Sequence, residues 1–316
     1  MTLGEDVLAP PLFDIVDMNK VTFSAACWCL LSIFTSIGAM AQSDYQLNEV
    51  VEFPDRIDME PSMLEVLYDL TMRDPLNAGE EVAVTMVLQI GPRYSKYFEY
   101  SSLQELLFLR SEGYKTTRGR WYAVCDSVGV TRKVGTLYKD RSKGTCREVA
   151  FSWGTYSYEE ELPRIDWREV PDSVRTIGGY ESHLAVCDLR GRQWRCWYAP
   201  EIKVSEGPYK LMGLPGLILE AYSEDGEIDL SFVSVSKSED PIIYNKEGYD
   251  RSFKGERKHF YRAISRGKWR TEEVLETSGL GVRELDGSSA KPVRRYMFYV
   301  PMELDLVDRP KPDQER

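Results

Sequence analysis

The stretch from residue 213 to residue 222 constrains the fold more than any other part of the chain. Two glycines flank a Leu-Pro pair, and an apolar run follows directly. Glycine reaches backbone conformations that other residues resist, and proline fixes its own φ and cannot donate a backbone hydrogen bond. The pattern therefore predicts a tight loop that leads into a β-strand. The residues of this motif loop are Gly213, Leu214, Pro215, Gly216, Leu217 and Ile218.

Two interpretations of the motif loop follow from its composition. Leu214 and Pro215 could present an exposed apolar tip to a partner. Alternatively, the loop could set the angle at which the next strand enters the core. Residues 213–218 include no nucleophile, base or metal ligand. The residue types therefore favour a role in packing.

Short β-rich segments separated by turn residues make up most of the chain. One strand is expected at Trp121–Val128. Asp225-Gly226 lies between two segments in which apolar and polar residues alternate, a pattern that is typical of a hairpin with a two-residue turn. Hydrophobic residues occupy 42% of the 316 positions, which is enough for a substantial core. We expect a mainly β fold with minor α content, a curved antiparallel sheet or half-barrel with one or two helices packed on it. Residues 42–308 are predicted to form a single β-rich domain, and 309–316 a frayed tail.

The N-terminal region has the features of an export signal. A lysine precedes an uncharged run at residues 21–43, and a small-residue cleavage site ends at Ala41. Residues 1–41 are thus predicted to be an N-terminal extension and signal peptide, cut before Gln42, so that the protein is exported to the periplasm, the outer membrane or the medium. Acidic residues upstream make Met18 a candidate for the true start. The alternative is an uncleaved anchor, because the run is about long enough to span a bilayer.

Four cysteines follow the predicted signal peptide, an even number that suits disulfide bonding in an oxidising compartment. The segments on either side of Gly191-Arg192 are predicted to form a hairpin with a type II′ turn. Counting from that turn places Cys187 opposite Cys196 at a non-hydrogen-bonded pair, where opposed side chains approach most closely. We therefore predict the disulfides Cys187–Cys196 and Cys125–Cys146. The alternative is four free or metal-binding thiols, and the lack of a C-x-x-C spacing argues against zinc.

Aromatic and polar residues just before the motif loop form a candidate binding groove. Aromatic side chains on strands can line a concave apolar site, although in a β protein they more often belong to the core. The predicted groove residues are Trp197, Tyr198, Pro200, Glu201 and Tyr209.

Paired carboxylates suggest a competing function. Glu201 with Asp166 or Glu220 could perform acid–base hydrolysis if two carboxyl groups lie about 5 to 9 Å apart. The two histidines, His183 and His259, have no metal-ligand or triad spacing. The sequence therefore favours a non-catalytic binding or structural protein, which presents a groove or loop to an envelope protein or an apolar ligand, over an envelope hydrolase. No metal and no cofactor are predicted.

The charge distribution points to one unusual segment. The formal net charge is −11, which makes nucleic acid a poor partner. Residues 251–270 are strongly basic, in contrast to the acidic chain as a whole, since they contain eight Lys or Arg and one Glu. Aromatic residues lie among them at near-helical spacing. The pattern predicts a basic amphipathic helix that could contact a membrane surface. The alternative is a solvated face that balances an acidic protein.

The sequence resembles a known family in several ordered pieces. The segment Gly-Leu-Pro-Gly-Leu-Ile at 213–218 is similar to the motif that names the GLPGLI family of exported proteins from Bacteroidota. The resemblance implies export, and it implies no assigned reaction. The other matching pieces are Trp197–Ile202, Ile165–Trp167, Ile177–Tyr180, Leu88–Gly91 with Ser95–Tyr97, and Tyr299–Leu304.

Overall fold

The computed structural model describes residues 46–74, 81–152, 154–246, 252–269 and 300–306, with side chains of the last helix described up to Ser265. The predicted extension and signal peptide at 1–41, its cleavage site at Ala41 and Gln42, and the tail at 309–316 lie outside the described residues. The prediction of one domain over 42–308 likewise stays a prediction.

A twelve-stranded sheet forms the body of the described chain. Its strand order is β10-β11-β12-β13-β14-β3-β4-β5-β7-β8-β9-β16, and every neighbouring pair is antiparallel except β9 with β16. Two short antiparallel ribbons, β1 with β6 and β2 with β15, lie beside it. The strands are β1 (Val50–Glu52), β2 (Arg56–Pro61), β3 (Leu64–Arg73), β4 (Glu81–Ile90), β5 (Tyr94–Glu99), β6 (Lys115–Thr117), β7 (Thr136–Asp140), β8 (Thr145–Phe151), β9 (Thr155–Glu161), β10 (Arg168–Ile177), β11 (Tyr180–Leu189), β12 (Arg192–Ala199), β13 (Leu217–Ser223), β14 (Ile228–Lys237), β15 (Pro241–Asn245) and β16 (Phe253–Lys254).

Three helices with described bounds accompany the sheet: α1 (Tyr100–Ser111), α2 (Arg118–Val128) and α3 (Arg257–Trp269); residues 46–48 are also helical. The prediction of a mainly β fold with minor α content is confirmed. None of these helices is long and apolar enough to cross a membrane.

Both faces of the sheet are covered near β5, because successive residues of a strand point to opposite faces. Tyr97 belongs to the main hydrophobic core, which also holds the motif-loop residues Leu214, Leu217 and Ile218. Phe98 belongs to a second cluster with Leu103 of α1. The sheet thus separates a large core from a smaller layer beneath α1.

The segment at 121–128 is a helix, so the predicted strand there is wrong. Thr117 caps helix α2 at its N-terminus, where its Oγ1 accepts a hydrogen bond from the Arg120 N–H at 3.3 Å. Gly129 ends the helix in the left-handed conformation, at φ 69°. These two end signals, rather than the aromatic content of the segment, determine its structure.

The β11–β12 hairpin forms, but the predicted register is wrong. Arg190 and Gly191 both have positive φ (52° and 83°), which is typical of a type I′ turn, and Leu189 pairs with Arg192. The turn therefore lies one residue earlier than predicted, at Arg190-Gly191 instead of Gly191-Arg192. This shift changes the partner of every residue in both strands.

The shifted register separates the two cysteines that were predicted to be bonded. Cys187 lies opposite Trp194, and Cys196 lies opposite Ala185, so the two thiols occupy diagonal positions on one face. All four described cysteines are free, and neither Cys187–Cys196 nor Cys125–Cys146 is bonded. The free thiols give no support to an oxidising compartment.

Candidate functional site

The motif loop is packed against the core. Leu214 is 2% exposed, and Leu217 and Ile218 are fully buried, whereas Pro215 is exposed. The indole Nε1 of Trp167 donates a hydrogen bond to the carbonyl of Met212 at 2.9 Å and so holds the start of the loop. This burial favours the packing interpretation of the loop over the exposed apolar tip.

Local geometry explains why both Gly213 and Gly216 of the motif loop are glycine. Gly213 has φ 101°, a conformation that side-chain-bearing residues rarely adopt. A Cβ on Gly216 would lie 2.3 Å from the carbonyl oxygen of Ala199. The loop therefore brings β13 against the end of β12 at a distance that only glycine permits.

The residues just before the motif loop contain buried charges. The Lys139 ammonium on β7 lies 2.6 Å from the Glu206 carboxylate, and both side chains are fully buried. Four residues later, Lys210 donates hydrogen bonds to Glu160 at 2.7 Å and to Glu303 at 2.8 Å. These ion pairs fix the loop to β7, β9 and the 300–306 segment.

A buried carboxylate lies beside Lys210 and is surrounded by hydroxyl groups. Oε2 of Glu148 accepts hydrogen bonds from Tyr158 at 2.8 Å and from Tyr209 and Tyr261 at 3.2 Å. Burial raises the pKa of Glu148, and the nearby Lys210 charge opposes that rise. Because Glu148 has several internal partners, we interpret this polar cluster as a part of the framework.

The predicted groove residues do not converge on one site. Trp197 is half-buried beneath the Arg175 guanidinium, whereas the adjacent Tyr198 points to the other face of β12 and donates to Glu169 at 2.9 Å. Tyr209 belongs to the Glu148 cluster. The two remaining residues, Pro200 and Glu201, are exposed.

The three carboxylates proposed for hydrolysis lie in different surroundings. Glu220 forms an ion pair with Arg175, and burial raises the pKa of Glu220. Asp166 and Glu201 are exposed, and neither they nor Glu220 line any of three well-formed cavities of the described structure. No observation therefore favours the paired-carboxylate hydrolase.

The largest of these three cavities lies on the α1 side of the sheet and has a volume of about 230 Å³. Strands β5, β7 and β8 form its floor, while α1 and the β2–β15 ribbon border it. Its solvent side is bordered by Phe151, which is 56% exposed, and by Arg132, whose side chain is 54% exposed. We call it the Lys96 cavity; its lining includes Arg56, Lys96, Phe98, Glu99, Ser102, Glu105, Arg132, Tyr138, Phe151 and Asn245.

Lys96 is the most unusual residue of this cavity. Its side chain is buried, and its Nζ lies 3.7 Å from the ring centroid of Phe98 and 5.4 Å from that of Tyr138. Within the described part of the chain, its only hydrogen-bond acceptor is the Ile243 carbonyl, at 3.0 Å, and no carboxylate lies within ion-pair distance. Burial lowers the pKa of Lys96 to about 7, and the charge of Arg56 contributes to that shift.

The two carboxylates of the cavity are already engaged by the protein. Glu99 accepts hydrogen bonds from the Thr131 hydroxyl and from the backbone N–H groups of Arg132 and Val134, at 2.8 to 2.9 Å. Glu105 accepts from the guanidinium of Arg132 at 3.0 Å, and also from an indole N–H. The charge of Glu105 opposes the lowering of the Lys96 pKa, but it does not cancel it, and neither carboxylate accepts a hydrogen bond from Lys96.

Sequence reasoning did not identify Lys96. The signal that could have identified it is a single lysine inside the aromatic strand Tyr94-Ser95-Lys96-Tyr97-Phe98. Lys96 and Phe98 are two residues apart and therefore point to the same face of the sheet. A buried charge in such a strand is uncommon unless it is paired.

The basic segment forms helix α3, as predicted, and its apolar side is buried. Phe260, Tyr261 and Ile264 pack with Tyr158 of β9, while Lys258, His259 and Arg262 are exposed. Phe260 and Tyr261 are thus unavailable for insertion into a membrane, whereas Phe253, just before the helix, is 68% exposed, and contact with a membrane surface stays a prediction. Over the described residues, no group of three or more His, Cys, Asp or Glu side chains is arranged to hold a metal ion.

The chain is similar to one family model and to solved structures of another protein. A model of a family described as a protein of unknown function (Porph_ging) matches residues 189–220, which include β12, the motif loop and the start of β13. No curated protein matches the chain. Two crystal structures of PNGF-II, in space groups C2 and P21, are 13% identical with a TM-score of 0.43, and the match covers 66% of this chain but only 33% and 34% of theirs. This chain therefore spans about a third of PNGF-II, and a similarity this weak supports no inference.

Proposed function

We propose that this chain is an exported, non-catalytic binding protein that holds a small ligand with an apolar body in the Lys96 cavity. The observation that carries the proposal is a cavity of about 230 Å³ in which aromatic rings and a buried ammonium meet. Ligand sites typically combine an apolar lining with a few polar groups that fix orientation. Phe98, Tyr138 and Phe151 supply the apolar surface, and Lys96 supplies the polar group.

The proposed site differs from the groove first expected from the sequence. The motif loop contributes to the rigid framework, because its leucines are buried and its neighbouring charges are paired internally. A rigid scaffold with a separate small cavity suits binding without a chemical step, and an envelope protein as partner remains compatible with it.

Export and family membership are parts of the same proposal. Export is supported by the lysine followed by an uncharged run at residues 21–43 and by the cleavage motif before Gln42. The motif at 213–218 supports membership of the GLPGLI family. N-terminal sequencing of the protein from its native envelope should begin at Gln42. An intact N-terminus at Met1 or Met18 would argue against cleavage and would leave the cavity proposal unaffected.

Ligand-observed NMR can test the cavity directly. The mature chain is screened against benzoate, benzamide, hexanoate and hexanamide, which match the size of the cavity. We expect saturation transfer to at least one of them. Ser102→Trp places an indole in the cavity from α1 and should abolish the signal, because Ser102 is half-buried in the lining.

A matched variant controls for general damage. Ser127→Trp makes the same change at an exposed position of α2, outside the cavity lining, and should retain binding. Absence of any transfer to the wild-type chain, or equal transfer to Ser102→Trp, would overturn the proposal.

A further inference from the structure

We infer that the ligand of the Lys96 cavity carries a carboxylate, which pairs with the Lys96 ammonium while an aromatic or short aliphatic body lies against Phe98 and Tyr138. This inference rests on the proposed function and specifies the class of ligand. It follows from a comparison of Lys96 with the other buried lysines, from the charges of the cavity and from its size.

Lys96 differs from the other fully buried lysines of the described chain. Lys139 has Glu206 at 2.6 Å, and Lys210 has Glu160 at 2.7 Å and Glu303 at 2.8 Å. Lys96 has a carbonyl and an aromatic ring in place of a carboxylate. An unpaired buried charge is costly. The fold therefore neutralises its other buried ammonium groups and leaves the one at the cavity without a counter-ion.

The charges of the cavity favour an anion. Three cationic side chains line it, those of Arg56, Lys96 and Arg132, against the carboxylates of Glu99 and Glu105. Both carboxylates accept hydrogen bonds from the segment at 131–134. Nη1 of Arg56 donates to Asn245 across the β2–β15 ribbon at 2.6 Å. An incoming carboxylate would supply the negative charge that Lys96 lacks and could accept from its remaining N–H donors.

The volume and the lining limit the rest of the ligand. About 230 Å³ accommodates one ring or a short chain and is below the usual range for drug-sized ligands. Phe98 and Tyr138 lie on adjacent strands with Lys96 opposite Tyr138, so a carboxylate at Lys96 places the attached body against these rings. A small monocarboxylate fits this arrangement better than a phosphate, which has no apolar part.

The test compares each acid with its uncharged amide by calorimetry at pH 6, where Lys96 is protonated. Wild-type protein should bind benzoate or hexanoate about tenfold more tightly than benzamide or hexanamide. Lys96→Met keeps an unbranched side chain that is one atom shorter and removes the charge, so the variant should lose this preference. Lys203→Met makes the same change at an exposed position outside the cavity and should retain it.

The pH dependence supplies a second measurement on the folded wild-type protein. Affinity for the acid should fall as the pH rises from 6 to 9, because Lys96 loses its proton, whereas affinity for the amide should not change. The other charged or titratable groups that face Lys96 are Arg56, Arg132, Glu99, Glu105 and Tyr138. Lys96→Met retains all five and should bind the acid with little dependence on pH.

The outcomes separate the two proposals. If acid and amide bind equally and Ser102→Trp abolishes both, the cavity binds ligands and the carboxylate inference is overturned. Tighter binding of inorganic phosphate than of either acid would also overturn it. If no acid or amide binds, the proposed function fails and the inference fails with it. A preference for the acid that Lys96→Met removes supports both.

Discussion

The ammonium of Lys139 lies 2.6 Å from the carboxylate of Glu206, and neither side chain is exposed to solvent. The two residues are separated by 67 positions in the sequence. The hydroxyl of Ser95 donates to the other carboxylate oxygen of Glu206 at 3.0 Å. This contact joins the sheet to the segment that leads into the motif loop, so its loss should affect the whole core.

Glu206→Gln should strongly destabilise the protein. The substitution leaves the Lys139 charge buried without a counter-ion, and breaking a buried pair in this way typically costs about 3–5 kcal/mol. Urea unfolding monitored by tryptophan fluorescence measures the change. The double variant Lys139→Met/Glu206→Gln should recover part of the loss, since it removes the unpaired Lys139 charge, whereas Arg141, whose Nε lies 3.6 Å from Glu206, still loses its carboxylate partner.

An exposed ion pair provides the matched comparison. Arg168 and Asp188 form a pair in which both side chains are more than half exposed. Asp188→Asn should change the free energy of unfolding by less than about 1 kcal/mol. If Glu206→Gln has no larger effect than Asp188→Asn, the buried pair is not a main support of the loop.

Gly216→Ala should also destabilise the protein, because its Cβ would lie 2.3 Å from the Ala199 carbonyl oxygen. The contact is with backbone, so the β12–β13 junction must shift, and overpacking of this kind costs about 1–3 kcal/mol. Gly255→Ala is the control, since its Cβ would meet the nearest atom at an ordinary 3.5 Å. Thermal unfolding of the two variants compares them, and equal melting temperatures would contradict the close approach.

The sequence predicted the elements with strong local signals. The hairpin around Asp225-Gly226 and the basic helix α3 were predictable, because alternation, turn residues and helical spacing are local properties. The turn itself differs from the prediction, since four residues, 224–227, join β13 to β14 and Gly226 has positive φ while Asp225 does not. Helix α2 was missed because its aromatic content favoured a strand, although Thr117 and Gly129 mark its two ends. The β11–β12 register was missed because Arg190 adopts positive φ, which its residue type does not indicate.

The candidate site was much less predictable. Lys96 meets its neighbours through strand pairing and through the placement of the β2–β15 ribbon, and Ile243 is 147 residues away in the chain. Such long-range contacts leave no periodic pattern in the sequence. The predicted groove residues are spread over several sites because closeness in sequence does not bring side chains together. Trp197 and Tyr198 are neighbours in sequence but point to opposite faces of one strand.

Thiol labelling should distinguish the cysteines by burial. Cys125 is half-buried, whereas Cys187 and Cys196 are 1% and 0% exposed. Burial raises the pKa of Cys125 to about 11 and that of Cys187 to about 12, so both thiols are protonated at neutral pH and access decides the order of reaction. We expect N-ethylmaleimide to modify Cys125 first, as measured by mass spectrometry of timed digests. A Cys187–Cys196 peptide in a non-reducing digest would instead restore the disulfide that the observed register argues against.

Lys96→Met should stabilise the unliganded protein, and the gain should depend on pH. Burial lowers the pKa of Lys96 from 10.5 to about 7 in the folded protein, so below pH 7 the folded state carries the full cost of an unpaired charge. Between about pH 7 and 10.5 the unfolded chain binds more protons than the folded one, and wild-type stability rises with pH relative to the variant. The advantage of Lys96→Met should thus be up to a few kcal/mol at pH 6 and should decrease steadily toward pH 10. Urea unfolding of both proteins across this range measures the difference, in which the contributions of other titrating groups cancel. A difference that does not vary with pH would mean that the Lys96 ammonium is solvated or paired, and the carboxylate inference would then lose its basis.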